Sequence, residues 1–183
     1  MNFLRNCLSK SRQRSGQALI EFMFVGFILL FMLFGMIDFC RAISTRQVLI
    51  NLSREAANLA ARGTGSTADA SISNAIAAVI AGASPLSITT NGLVIITAVL
   101  NNNGTYKVTN QIMEGALSNS APSKIAPSGV GSTLTTPFTT LQIPQSNQTM
   151  FVSEVYYKYQ PATPIGRLLN LTMTNTLYDA AYF

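Results

Sequence analysis

The chain has 183 residues, a formal net charge of +5 and a mean hydropathy of +0.31, and only 10% of its residues are charged. Soluble domains carry about 25% charged residues, and disordered chains combine low hydropathy with high charge, so neither class fits. Histidine is absent, which removes the usual general base and the commonest metal ligand. Two cysteines without histidine partners do not make a closed zinc site. The composition therefore argues against most metal-dependent and triad enzymes, and we predict no metal site and no cofactor.

The excess positive charge is concentrated at the N-terminal end. Residues 1–62 carry eight basic and three acidic residues, and residues 63–183 carry four of each. Four basic residues and no acidic one precede a long apolar run: Arg5, Lys10, Arg12 and Arg14. Such a flank is typical of a membrane segment with a cytoplasmic N-terminus, and it is too sparse for a nucleic-acid surface. We expect no nucleic-acid partner and an extracytoplasmic position from about residue 40 onward.

The apolar run predicts one membrane span. Residues 22–37 contain no charged side chain, and the run extends over residues 18–39. As a helix this length is about 33 Å, which matches a hydrocarbon core of about 30 Å. The alternative is a cleaved secretory signal, whose apolar core is shorter and is followed by a small-residue cleavage site. We interpret the run as a retained span with Asp38 and Arg41 at its outer boundary.

The helix is predicted to continue beyond this boundary. Residues 42–62 contain neither proline nor glycine, and Gly63 is placed as a C-terminal cap. Apolar residues recur on one face at helical spacing: Ala42, Leu49, Leu52, Ala56 and Leu59. The pattern indicates one long helix that is apolar on all sides at first and amphipathic afterwards. Its apolar stripe must be buried against a globular domain or another subunit.

Glu21 is an acidic residue at the cytoplasmic edge of the span. A carboxylate among apolar side chains at this position is costly and usually has a partner or a function. The order of basic residues, Gly16, Gln17, Glu21, an aromatic residue and a long apolar run resembles the processing site of type IV pilin-like precursors. The resemblance implies that a membrane-embedded prepilin peptidase cuts the Gly16–Gln17 bond.

Cleavage would create a new α-amino group on Gln17. In a helical bundle this cation could neutralise Glu21 of a neighbouring subunit and so fix the axial register of the subunits. The alternative is a Glu21 side chain that lies at the headgroup level, either protonated or in contact with water.

Three motifs after the span resemble one family. The sequences DFCR (38–41), RQVL (46–49) and SREAA (53–57) are similar to the helix of TadE-like proteins of tight-adherence (Tad/Flp) pili. Residues 150–183 are similar to that family's terminal strands, whereas the middle of the chain shows no such similarity. Cys40 and Asn58 depart from the family's glycine and arginine. The resemblance implies a minor pilin or pseudopilin.

The remaining sequence predicts an outer domain. Residues 67–81 form a helix that Ser66 or Thr67 caps and that ends before Gly82. Four antiparallel strands are predicted, the first two joined by the turn signal NNNG: residues 93–100, 105–112, 148–160 and 170–178. Residues 118–147 are expected to form a long loop, either a display surface or a tolerated insertion. The tyrosines of the third strand are interpreted as packing residues, with a stacking surface as the alternative.

The predicted fold class is α+β, with a long N-terminal transmembrane helix that continues into a pilin-like domain containing an antiparallel sheet of about four strands. We divide the chain into a basic cytoplasmic leader (1–16), the long helix (17–62) and an extracytoplasmic domain (63–183). The four outer acidic residues carry no catalytic spacing motif: Asp69, Glu114, Glu154 and Asp179.

The functional hypothesis is a non-enzymatic minor pilin that helps to initiate, cap or assemble a tight-adherence pilus from the bacterial inner membrane. Its implied partners are the membrane, the prepilin peptidase, other pilin or pseudopilin subunits and the pilus assembly platform. Two alternatives stay open. One is an uncleaved single-span scaffold of the assembly machine, and the other is an anchored adhesin or ligand-binding module that uses the 118–147 loop.

Overall fold

The computed structural model describes residues 2–63, 67–134, 145–168 and 176–183, with residues 2–15, 165 and 168 described by their backbone alone. The helices are α1 (Asn2–Ala61), α2 (Ala68–Gly82), α3 (Ile88–Asn91) and α4 (Pro164–Leu168). The strands are β1 (Gly92–Asn102), β2 (Thr105–Glu114), β3 (Thr149–Lys158) and β4 (Thr176–Tyr182). A long apolar N-terminal helix followed by a four-stranded antiparallel sheet confirms the predicted α+β class.

The chain divides into two compact units. The first, here the helix unit, consists of Met1–Arg41 and Pro161–Met173, and the second, the sheet unit, consists of Ala42–Gln160 and Thr174–Phe183. The division lies inside α1, and it assigns the segment that follows β3 to the helix unit. The two units are described separately below.

The sheet has the order β2-β1-β3-β4, and every neighbouring pair is antiparallel. The predicted NNNG turn is confirmed as the connection between β1 and β2. Asn103 and Gly104 both adopt positive φ there, and the Gly104 N–H donates to the Asn101 side chain (2.8 Å). Glycine and asparagine are the residues that tolerate this backbone region best.

β1 is buried on both faces, which explains its nearly continuous apolar sequence. Val94, Ile96 and Ala98 pack with the helices, whereas the alternating residues face the opposite side of the sheet. The stripe predicted on α1 is confirmed from Leu49 to Leu59 but not at Ala42, which does not join this core. Its buried members pack with side chains of α2: Leu49, Leu52, Ala56, Ile72, Ile76 and Val79.

The opposite face of the sheet is covered by residues 117–134. Ala126 and Leu134 are buried against β1, β2 and β3, and Leu117 packs at the other end of this face. The segment also pairs with the edge strand β2, because the Val108 N–H donates to Ser132 O (2.9 Å) and the Leu134 N–H donates to Tyr106 O (2.8 Å). The first half of the predicted long loop is therefore a packed cover, while residues 135–144 lie outside the described residues.

Most element ends agree with the local sequence signals. Thr67 caps α2 through its side chain, which accepts from the Ala70 N–H (3.2 Å), and Gly63 follows α1 with φ +61. The last strand differs. β4 begins at Thr176 and continues to Tyr182, so the predicted end at residue 178 is wrong, and residues 170–175 of that prediction lie outside the described residues. Pairing with β3 extends the strand to Tyr182, opposite Val152.

Candidate functional site

The first candidate is the exposed apolar stretch of α1, which belongs to the helix unit. The large apolar side chains from Leu19 to Phe39 are 43–78% exposed, with Phe34 as a half-buried exception. The helix has a mean hydropathy of 2.5 in its most apolar window, and none of that window is buried within the chain. A soluble core helix would bury such a surface, so a helix this long and apolar supports membrane anchoring.

The predicted processing site lies inside α1. Gly16 and Gln17 are both helical and exposed, and a Cβ added to Gly16 would meet nothing within 4 Å among the described residues. Packing within the chain therefore does not require glycine at position 16. Glycine is about 1 kcal/mol less favourable than alanine in a helix, which makes this point easier to unwind for a protease that needs an extended backbone.

Glu21 is exposed on the same side of the helix as Gln17. The Gln17 side-chain amide donates to the Glu21 carboxylate at 3.2 Å, one helical turn away. A neutral amide satisfies one lone pair of the carboxylate but leaves its charge uncompensated. Gln17 and Glu21 are four residues apart and so lie on one face of α1, and their pairing between subunits stays a prediction.

Asp38 has tertiary contacts that the sequence did not indicate. Its Oδ1 accepts from the backbone N–H groups of Ala162 (3.0 Å) and Thr163 (3.1 Å), and its Oδ2 accepts from the Thr163 hydroxyl. The Thr163 hydroxyl oxygen also accepts from the Gly166 N–H (3.1 Å) and so caps α4. We call this group of Asp38, Ala162, Thr163 and Gly166 the Asp38 clasp.

Glycine is needed in the clasp. A Cβ added to Gly166 would collide with the Asp38 carboxylate and would lie 2.6 Å from the Pro161 Cβ. The only sequence signal for this arrangement is threonine followed by proline, a common start of a helix. That signal predicts a helix start near residue 163, but it says nothing about an acidic partner far away in the chain. Arg41, the other predicted boundary residue, is exposed.

The second candidate is a buried carboxylate in the sheet unit. Glu154 on β3 is fully buried, and its Oε1 accepts from the Lys124 N–H (2.9 Å) and the Tyr178 hydroxyl (3.0 Å). Its Oε2 accepts from the Ser123 hydroxyl, whose oxygen accepts from the Ala126 N–H (2.9 Å). A buried carboxylate is tolerated when its lone pairs are filled in this way. Glu154 thus attaches the covering segment to the sheet.

The tyrosines around Glu154 are held in their protonated form. Burial, and secondly the charge of Glu154, raise the pKa of Tyr156 to about 12 and also raise the pKa of Tyr178. The Lys124 ammonium lies 3.8 Å from the Tyr178 ring centroid, a cation–π distance. Tyr156 is buried, and the Tyr157 side chain packs against the core between the sheet and the helices, so the packing interpretation is confirmed for Tyr157.

The outer acidic residues do not converge. Glu154 lies opposite Ala180, and Asp179 lies opposite Val155, so the two carboxylates are on opposite faces of the sheet. The Asp179 carboxylate accepts from the Ser53 hydroxyl of α1. In the described ranges no group of three or more cysteine, aspartate or glutamate residues could hold a metal ion.

The SREAA motif is divided between core and surface. Ser53, Ala56 and Ala57 are buried, whereas Arg54 and Glu55 are exposed. Arg54 and Glu55 line an open groove of about 530 Å³ together with other side chains of α1 and the end of β4: Asn58, Leu59, Arg62, Ala181, Tyr182 and Phe183. Packing within the sheet unit accounts for the small residues of the motif but not for its two charged residues.

Comparison with known families agrees with the motif pattern. Residues 16–58 match the model of the TadE-like protein family, so the resemblance is confirmed over this range, which lies within α1. The matched range begins at Gly16 and contains Glu21, Asp38 and the SREAA motif. No match was found among curated proteins or among solved structures.

Proposed function

We propose that this protein is a membrane-anchored minor pilin or pseudopilin of a tight-adherence pilus and that it has no enzymatic role. The observation that carries the proposal is the construction of α1 within the range that matches the TadE-like family. One stretch exposes apolar side chains on all sides, and the next buries a narrow stripe in the sheet unit. A pilin-like subunit needs both, one stretch for a membrane or a helical bundle and one to carry a folded domain.

The proposed location follows from the charge pattern. Basic residues before the apolar stretch keep the N-terminus in the cytoplasm, so the span crosses the bacterial inner membrane and the sheet unit is extracytoplasmic. The proposed partners are the prepilin peptidase, other pilin or pseudopilin subunits and the assembly platform.

In this proposal Gly16–Gln17 is the peptidase site and Glu21 is the assembly residue. Removal of the leader places an α-amino group at Gln17, one turn before a carboxylate that now has only a neutral side-chain amide described as its partner. The amine of one subunit and Glu21 of the next form an ion pair in an apolar bundle. Because a lone buried charge there is costly, the pair favours one axial register.

The processing step is tested by expressing the full chain together with its prepilin peptidase. N-terminal sequencing should find a mature protein that begins at Gln17, and Gly16→Arg should abolish cleavage because the added side chain blocks approach of the backbone to the protease. Ser15→Ala is the matched control at the adjacent position and should be cleaved normally. A wild-type protein that retains residues 1–16 would refute processing and favour the uncleaved scaffold.

The assembly role is tested with Glu21→Gln, which removes the charge and keeps the shape. We expect the variant to be inserted and cleaved, and pili to be lost or strongly reduced when surface fibres are counted and sheared fractions are blotted. Glu114→Gln, a change of the same chemistry at an exposed position at the end of β2, is the control and should assemble normally. Wild-type piliation in Glu21→Gln would contradict the ion-pair mechanism.

A further inference from the structure

The Asp38 clasp lies where the exposed apolar stretch of α1 ends. Ile37 and Phe39 on either side of Asp38 are 43% and 63% exposed, whereas from Ala42 onward the helix becomes amphipathic. The clasp therefore holds residues 161–168, which follow β3 in the chain, against the helix at the level where an apolar environment must give way to a polar one.

We propose that residues 161–168 form a membrane-surface foot, which the Asp38 clasp holds at the level of the lipid headgroups and in which Arg41 and Arg167 bind the phosphates of anionic phospholipids. The inference rests on the membrane anchoring in the proposed function, but it is independent of leader processing and of the role of Glu21. It assigns a lipid-binding role to a segment that lies outside the range matched by the family.

The hydrogen bonds of the foot suit a backbone that lies against a bilayer. Irregular backbone near hydrocarbon is tolerated only when its polar groups have partners within the protein. Here the N–H groups of Ala162 and Thr163 donate to Asp38, and the Gly166 N–H donates to Thr163. The same bonds satisfy the Asp38 carboxylate, which is half-buried and would otherwise be a costly charge at this level.

The charges of the foot indicate what it binds. Residues 161–168 contain a single charged residue, Arg167, and its side chain is exposed. Arg41 is also exposed and lies one helical turn beyond Asp38, whose carboxylate it stabilises by its charge, so the two arginines leave one net positive charge beside the foot. The guanidinium group donates bidentate hydrogen bonds that match phosphate geometry, and anionic lipids attract arginine near the membrane surface. Exposed arginines next to an exposed apolar stretch therefore fit anionic phospholipid.

The close packing of Gly166 fixes the position of the foot relative to Asp38. Because a Cβ at this position would collide with the Asp38 carboxylate and with the Pro161 Cβ, the clasp leaves no room for a side chain at position 166. Gly166→Ala should displace α4 while leaving every charge in place.

The test uses the full chain in nanodiscs of phosphatidylcholine and phosphatidylglycerol in equal amounts. In a Cys7→Ser, Cys40→Ser background, Ala162→Cys carries an environment-sensitive fluorophore, and Phe39→Cys carries the same fluorophore as a reference for membrane insertion. Quenching is compared between lipids with a nitroxide at the headgroup, lipids with a nitroxide in the acyl chain, and aqueous iodide. We expect the label at position 162 to be quenched most strongly by the headgroup nitroxide.

The variants separate the clasp from the arginines. Asp38→Ala and Gly166→Ala should each cause loss of headgroup quenching at position 162, and Asp38→Asn, which keeps one acceptor oxygen, should lose less. Arg41→Gln with Arg167→Gln leaves the clasp intact, so it should keep some headgroup quenching but lose the excess seen in anionic over purely zwitterionic nanodiscs. Lys107→Gln with Lys158→Gln removes two exposed cations of the sheet unit and should cause no loss.

The unfavourable outcomes are distinct. If the label at Phe39 is quenched by lipid but the label at position 162 responds only to iodide, the foot is refuted while membrane anchoring stands. If neither label responds to lipid, membrane anchoring fails and the foot fails with it. Recognition of anionic phosphate is refuted if headgroup quenching of the wild-type label in anionic nanodiscs is matched both in purely zwitterionic nanodiscs and by the double arginine variant.

Discussion

Two stretches of the same helix behave in opposite ways. In residues 19–39 of α1 the apolar side chains face outward, as Leu29 does with 61% of its surface exposed, whereas in residues 42–61 an apolar stripe is buried, as Leu49 is with 1% exposed. Both stretches are regular helix, so helix propensity does not separate them. The two stretches differ in how apolar residues are distributed around the helix axis. A helix that is apolar on all sides needs lipid or other helices to cover it, whereas an apolar stripe is covered by packing on one sheet.

This difference implies a division of labour that can be tested. The free energy of unfolding of the sheet unit should depend on the second stretch, whereas retention in the membrane should depend on the first.

The largest expected effect comes from a matched pair of leucine truncations. Leu49→Ala should lower the free energy of unfolding of the sheet unit by about 2–5 kcal/mol, since it leaves a cavity in a packed core. Leu29→Ala should leave that free energy unchanged, because the side chain is 61% exposed and joins none of the core clusters of the described residues. Urea unfolding of the full chain in detergent, followed by tyrosine circular dichroism, measures both. Equal losses would mean that the two stretches share one core.

A charge introduced into the first stretch should impair membrane retention, whereas the same charge in the second stretch should not. Leu29→Arg is expected to cost about 3 kcal/mol of membrane insertion, the usual penalty for arginine at the centre of a span. Carbonate extraction of membranes measures retention, and Gln47→Arg at an exposed polar position of the second stretch is the control. Full retention of Leu29→Arg would argue against a transmembrane position.

Two glutamates extend the comparison to carboxylates. Glu154 is buried with its acceptors filled, so Glu154→Ala should destabilise the sheet unit by about 1–3 kcal/mol by leaving buried donors unpaired. Glu21→Ala should not change the stability of the sheet unit. The same unfolding assay decides, and a Glu154→Ala protein as stable as wild type would show that the covering segment does not depend on this carboxylate.

The tyrosines near Glu154 predict a pH dependence. Burial and the Glu154 charge raise the pKa of Tyr156 to about 12, whereas in the unfolded chain the pKa stays near 10. The unfolded state therefore loses its proton first, and stability falls as the pH rises from about 10 to about 12. Glu154→Gln should lower the pKa of Tyr156 towards its ordinary value but not reach it, since burial remains. Tyrosinate absorbance against pH measures the shift.

The smallest expected effects come from replacing two glycines by alanine, which should destabilise the protein at one position and stabilise the helix at the other. Gly63 follows α1 with φ +61, so Gly63→Ala should cost the sheet unit about 1 kcal/mol. Gly35 is helical with open space around it, so Gly35→Ala should favour the helix by about the same amount. Amide hydrogen exchange near each site measures the change in local stability. Protection that falls at both sites, or rises at both, would contradict the positive φ of Gly63 or the helical position of Gly35.

Local signals predicted the elements whose determinants are close in sequence. The stripe of α1, the Thr67 cap and the NNNG hairpin each depend on residues within a few positions of one another, and the structure confirms them. The end of β4 was predicted wrongly because Asp179 interrupts the apolar alternation. Its carboxylate accepts from Ser53 of α1, a partner that the strand sequence cannot indicate.

The candidate site follows the same rule. Gly16, Gln17 and Glu21 form a local pattern, and the family match begins at that pattern. The contacts of Asp38 with Thr163 and of Glu154 with Ser123 and Tyr178 join residues that are remote in the chain. Sequence analysis located Asp38 and Glu154 but assigned no partner to either.

The sequence by itself determined where the chain is apolar on all sides, where it is amphipathic and where it turns, because these properties depend on neighbouring residues and on a helical or strand period. Only the tertiary structure decided that residues 117–134 cover the sheet and that Asp38 holds residues 161–168. In both places a carboxylate accepts hydrogen bonds from a remote segment, and that pairing is selected by the packed fold rather than by local pattern.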